Sequence, residues 1–99
     1  MSRQVMDLLK QCAPVFSILA DENRQEILLL LDENKQMTVT ELAQKLPLSR
    51  PAISHHLKHL LDNKLVEVEK RGTERHYSLN LKWATQILKL LVIELEKIN

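Results

Sequence analysis

The side chains with the most legible chemistry fall in three short segments. Between residues 50 and 62, Ile53, Leu57, Leu60 and Leu61 recur at helical spacing, so Arg50, Ser54, His55 and Lys58 project from the other side. A major-groove reader needs these side-chain types. Arginine bonds guanine in bidentate fashion, serine and histidine suit base edges or phosphates, and lysine suits phosphate. A second group, Lys70, Arg71 and Arg75 around Gly72 and Thr73, has the cations to grip phosphate or probe a minor groove. Thr38 and Thr40 offer hydroxyls that could bond phosphate from the segment just before residue 50.

Placing these groups requires a particular set of elements. Residues 4–12 carry Val5, Leu8, Leu9 and Cys12 on one side of a helix, and Pro14 is expected to open a separate segment over Val15 to Ala20. Asp21 suits an N-cap, with Glu22 in the first turn and Ile27, Leu28, Leu30 and Leu31 forming a wide core face. Thr38-Val39-Thr40-Glu41 fits a capping box, and Pro47 must stop the helix it opens by about Leu46. Ser49 caps the next helix and Pro51 fits its first turn, so the two together set the helix start beside Arg50. Two short helices across a tight turn form a helix-turn-helix pattern.

The alternation of Leu65-Val66-Glu67-Val68-Glu69-Lys70 and of His76-Tyr77-Ser78-Leu79 predicts two strands, with the chain's one glycine marking the turn. A basic hairpin directly after a helix-turn-helix is the order of a winged helix. Asn80 can cap a final helix whose Leu81, Ala84, Leu88, Leu91, Leu95 and Ile98 follow a 3–4 spacing, with Trp83, Ile87 and Leu90 beside them. The expectation is one mainly α domain with a small β-hairpin over 1–99: helix or helices in 1–20, core helices and helix-turn-helix in 21–63, wing in 64–79, last helix in 80–99. The apolar pattern of that last helix is wider than one core face requires, which leaves a stripe for a partner.

Composition excludes several function classes. A single glycine leaves no phosphate-cradling loop, which needs several glycines close together. Three aromatics, Phe16, Tyr77 and Trp83, give no stacking platform for single strands. One cysteine makes no internal disulfide, the start carries charge where a signal peptide has its apolar core, and the longest apolar run is Ile27 to Leu31. These features predict a cytoplasmic chain without a membrane span. No catalytic residue, metal or cofactor is assigned. The net charge of +1 hides a polarity. Residues 45–76 hold seven Lys/Arg against four acids, whereas residues 1–44 hold four against seven. Double-stranded DNA is the partner that this basic block suits.

Two other readings compete. His55 and His59 stand four apart on one helical face with Asp62 three further on, a spacing that could hold zinc. Cys12 fits a small apolar filler, or a redox switch through a disulfide between two protomers. A winged helix used only to bind other proteins, without DNA, is a further alternative.

Ile18-Leu19-Ala20-Asp21-Glu22-Asn23-Arg24-Gln25-Glu26-Ile27-Leu28, Thr40-Glu41-Leu42-Ala43, Ser49-Arg50-Pro51-Ala52-Ile53-Ser54-His55-His56-Leu57 and Gly72-Thr73-Glu74-Arg75-His76-Tyr77-Ser78-Leu79 together resemble the arsenic-repressor (ArsR) family of winged-helix regulators. The resemblance covers about residues 15–80. It implies a homodimer built from the terminal helices, binding a pseudo-palindromic operator and usually repressing transcription. The apolar positions expected at that dimer interface are Val5, Leu8, Leu9 and Cys12 near the start, and Trp83, Ile87, Leu88, Leu91 and Leu95 near the end. Many members release DNA on binding a metal through a Cys-x-Cys in the helix that is Glu41 to Leu46 here, or through ligands along the last helix. This chain has neither cysteine in that helix, nor any histidine after His76. The family usually has glutamine where Arg50 stands, which shifts the expected base from adenine towards guanine.

Overall fold

The computed structural model describes residues 1–98 and contains five helices and one hairpin. In order these are α1 (Arg3–Leu19), α2 (Glu22–Asn34), α3 (Val39–Lys45), α4 (Arg50–Asp62), β1 (Val66–Arg71), β2 (Glu74–Leu79) and α5 (Lys82–Glu96). The architecture is a winged helix-turn-helix, mainly α with a small antiparallel hairpin.

Side-chain oxygens start four of the helices. Ser2 accepts from the Val5 N–H, Asp21 from Arg24, Thr38 from Glu41 and Ser49 from Ala52, each satisfying an otherwise orphaned donor. At α3 the box is complete, because the Glu41 carboxylate accepts the Thr38 N–H at 2.9 Å in return. Asn80 Oδ1 accepts the Lys82 N–H at 3.1 Å, although Leu81 rather than Asn80 is the residue flanking α5.

Pro14 departs from expectation. It lies inside α1, which runs unbroken from Arg3 to Leu19. The buried stripe Val5, Leu8, Cys12, Val15, Ile18 continues at 3–4 spacing straight across it, while Pro14 and Lys10 lie on the exposed face. The hydrogen bond that proline removes is therefore lost on the side where water solvates the freed carbonyl of Lys10.

The exit from α4 fixes the start of the hairpin. Leu65 N–H donates to Leu60 O at 2.9 Å and Lys64 N–H to Leu61 O at 3.1 Å, a Schellman motif with Lys64 at φ 61°. Leu60 and Leu65 are both fully buried. A lysine in this left-handed position is strained where glycine would not be; the one glycine serves the wing instead, at φ 61° between Arg71 and Thr73. The strands pair Val66↔Leu79 through Val68↔Tyr77 and Lys70↔Arg75 to Arg71↔Glu74.

The main core joins Ile27 and Leu31 of α2, Leu42 of α3, Ile53, Leu57 and Leu60 of α4, and Leu65, Val66 and Tyr77 of the hairpin. A separate small cluster, Leu8, Cys12, Ile87 and Leu91, holds α1 against α5. The two clusters lie along a molecule 48 × 25 × 20 Å in extent. No described helix is long and apolar enough to cross a membrane.

Candidate nucleic-acid interface

A cleft of about 590 Å³ opens between α3, α4 and the hairpin. Residues from three separated segments line it: Thr38 and Thr40; Ser54, Lys58 and Asp62; Thr73, Glu74, Arg75 and Tyr77. The fold brings them together by two devices. The helix-turn-helix buries Leu42 of α3 in the same core as Ile53 and Leu57 of α4, which sets α3 beside α4. Met37 and Tyr77 exchange backbone hydrogen bonds, Met37 N–H to Tyr77 O at 3.0 Å and Tyr77 N–H to Met37 O at 2.9 Å. That isolated bridge seats the start of α3 against β2.

Six of the residues expected to contact DNA line this cleft: Thr38, Thr40, Ser54, Lys58, Thr73 and Arg75. Thr38 differs from the others. It is only 6% exposed and its hydroxyl closes the α3 cap, so it holds the first turn while exposed Thr40 carries the free hydroxyl. Ser49 is likewise spent on its cap, accepting the Ala52 N–H at 3.2 Å, and Pro51 sits in the first turn. Arg50, Ser54, His55 and Lys58 are all exposed along α4.

The wing cations are not equivalent. Lys70 and Arg75 are cross-strand partners, both exposed, on the same hairpin face as Val68 and Tyr77. Arg71 is tied down: its Nη2 donates to Glu69 Oε2 and to Gln36 Oε1, both at 3.0 Å. The pair holds the Glu69 carboxyl below its ordinary range, chiefly through the hydrogen bond from Arg71. An Arg71 occupied in this way braces the wing against the α2–α3 connection, while about half of its side chain stays exposed.

Sequence reading missed Tyr77, Asp62 and Glu74 in the cleft. The two acids place negative charge beside Lys58 and Arg75, which restricts the positions a phosphate can take. Helical spacing sets Asp62 on the face of His55 and His59 without pointing to the cleft, and nothing local points to Tyr77.

His55 and His59 meet edge to face, with Nε2 to Nε2 at 3.2 Å. One ring must donate and the other accept, so at least one is neutral in this arrangement. Asp62 adds no third ligand; among the described residues no group of three or more His, Cys, Asp or Glu converges as a metal site would. Cys12 is fully buried, its Sγ 3.7 Å from Ile87 O, and burial pushes its thiol above the usual range. A thiol buried in this way does not ionise readily.

The residues expected at a dimer interface fall into two groups by burial within the chain. Val5, Leu8, Cys12, Ile87 and Leu91 are buried within the chain, and Leu9, Trp83, Leu88 and Leu95 are half-buried against them. The exposed apolar residues of the last helix are Leu90, Val92 and Ile93, each about half exposed. The strongest apolar stripes of the two terminal helices meet each other within the chain. Lys64 Nζ lies 5.4 Å over the ring of Trp83, which further covers that side chain.

Residues 19–69 match the model of a family described as a helix-turn-helix domain. The chain is 38% identical over 71 residues to the arsenical resistance operon repressor of Staphylococcus aureus, covering 72% of this chain and 67% of that protein. It is 35% identical over 74 residues to the protein of the same name from Bacillus subtilis (strain 168), covering 75% of this chain and 70% of that protein. Among solved structures, an ArsR-like transcriptional regulator from Rhodococcus sp. RHA1 superposes with a TM-score of 0.77 at 33% identity. That match covers 98% of this chain and 88% of the other.

Proposed function

The chain belongs to the ArsR family of winged helix-turn-helix transcription regulators, and on that premise we propose that it is a homodimeric repressor acting on a pseudo-palindromic DNA operator. The observation that carries the reading is the cleft in which Thr40, Ser54, Lys58, Thr73 and Arg75 converge from three segments. Hydroxyls and two cations around one groove have the chemistry to seat a backbone phosphate while α4 lies in the adjacent major groove. Arg50, at the first position of α4, together with Ser54 and His55, then faces base edges. Lys70 and Arg75 extend the grip to the flanking backbone. The protein works in the cytoplasm, where its DNA is.

Shape and surface support the dimer. The Cα radius of gyration is 15.6 Å, against about 13 Å for a compact chain of this length. The excess comes from the α1–α5 pair, whose small cluster leaves Leu90, Val92 and Ile93 exposed. Leu88, Val92 and Ile93 border a shallow groove of about 440 Å³ on α5. A second copy applied to this face buries the stripe and presents two α4 helices, about 34 Å apart for half-sites one DNA turn apart.

The test is selection of duplexes from a randomised pool by the wild-type chain, followed by affinity measurement with Arg50→Ala/Lys58→Ala. The expected result is enrichment of a two-half-site motif and a loss of at least tenfold in the double variant. Unchanged affinity in that variant would remove α4 as the reading helix. Failure to retain any duplex would leave only a protein-binding winged helix.

A further inference from the structure

We infer that Arg24 is a positioning residue for the DNA-facing helix, acting through His56. Its Nε–H donates to His56 Nδ1 at 3.3 Å, joining the first turn of α2 to the middle of α4 across 32 residues of sequence. The inference rests on α4 being the helix that reads DNA.

The contact matters because of how α4 is otherwise held. Ile53, Leu57 and Leu60 sink its inner face into the core. Apolar burial is non-directional, so it sets the depth of the helix more firmly than its rotation or its slide along the groove. Among the described residues, no other side-chain hydrogen bond links α4 to another element: Ser49 and Asn63 serve its two ends, and His59 turns to His55. Arg24 is a fixed point to bond to. Its own backbone N–H is held at 2.9 Å by Asp21 Oδ2, and the next residue, Gln25, donates to Leu19 O at 2.6 Å. His56 is half-buried between exposed His55 and buried Leu57, so a shift at its ring moves the neighbouring DNA-facing side chains.

The hydrogen bond also fixes a chemical state. Nδ1 accepts only if His56 is neutral with its proton on Nε2. From α2, Asp21 favours the protonated ring and Arg24 opposes it; from α4 itself, His55 and His59 oppose it. The other elements packed on α4, α3 and β1, contribute no described charge to this balance. Burial is the largest influence and keeps the ring neutral below the ordinary histidine range. On sufficient acidification a second cation appears opposite Arg24 and the tie is lost.

The test combines nitrogen NMR of the histidines with duplex binding, using wild type, Arg24→Ala, Arg24→Lys and His56→Asn. Asparagine places an uncharged acceptor where Nδ1 stood. The expected NMR result is an Nε2–H tautomer for wild-type His56 with a hydrogen-bonded Nδ1 signal that is lost in both Arg24 variants. Affinity for a duplex selected by the wild-type chain should fall roughly five- to tenfold in Arg24→Ala, as for loss of one ordinary hydrogen bond. Lysine should not rescue it, and the dependence on salt should stay the same. His56→Asn should match wild type at pH 7.5 and surpass it progressively towards pH 5.5. A His56 Nδ1 signal indifferent to Arg24 would overturn the inference whether or not any duplex is found. A salt slope reduced by about 0.9 in Arg24→Ala would also overturn it, since that is the mark of a direct phosphate contact.

Discussion

Replacing both Lys70 and Arg75 by glutamine should weaken DNA binding while stabilising the fold. The two residues are directly opposite in the hairpin register, exposed, and on the face that leads into the cleft. Like charges in that relation cost the sheet up to about 1 kcal/mol, so their removal should leave Tm unchanged or raised. On DNA the sign reverses. Each phosphate contact contributes about 0.9 to the slope of log affinity against log salt, so two contacts contribute about 1.8. Between 50 and 200 mM salt, that difference amounts to about a twelvefold smaller loss of affinity in the variant. Fluorescence anisotropy of a labelled duplex at four or five salt concentrations measures the slope directly. Arg71→Gln is the control, because Arg71 already bonds Glu69 and Gln36, and its slope should differ little from wild type. An unchanged slope for the double variant, or a slope change as large in the control, would refute the assignment of wing roles.

Three further outcomes follow. Ile93→Asp puts charge on the exposed stripe of α5 and should convert a dimer to a monomer in sedimentation equilibrium, with loss of two-half-site binding. Thr38→Ala removes the α3 cap and should cost about 1 kcal/mol by denaturant titration, from loss of a single capping hydroxyl. Acid should weaken the same cap: the Thr38 backbone N–H holds the Glu41 carboxyl below its ordinary range. Its contribution is therefore full above the unfolded-state value near 4.5 and is lost as pH falls through the lower folded-state value. Glu41→Gln should flatten that part of a stability-versus-pH curve, and an identical curve would contradict the capping account.

The parts of the fold governed by local chemistry were legible in the residue order. Asp21, Thr38 and Ser49 announce their helices because a short polar side chain before an apolar period has few other uses. Gly72 announces the wing turn in the same way. Pro14 misled because a proline's cost depends on whether its freed carbonyl meets water, and that is decided by the face on which it lies. The terminal helices illustrate a related point: an apolar stripe shows that a face is covered, not whether the cover is the same chain. Leu8, Cys12, Ile87 and Leu91 find each other across the whole sequence.

The site divides along the same line. Arg50, Ser54, His55 and Lys58 follow from helical phase alone. Arg71 does not, because its partner Gln36 lies 35 residues away. Tyr77 reaches the cleft through a backbone bridge to Met37, and Arg24 reaches α4 through His56. Such contacts are products of tertiary packing and leave no periodic trace.

The most direct measurement is an amide chemical-shift titration of the wild-type chain with a duplex it has selected, repeated at low and high salt. Binding through α4 and the wing predicts salt-sensitive changes concentrated at Thr40, residues 50–58 and residues 70–75, with the outer face of α2 around Leu29 unmoved. Changes confined to α2 and α1, or none at any salt concentration, would contradict the account.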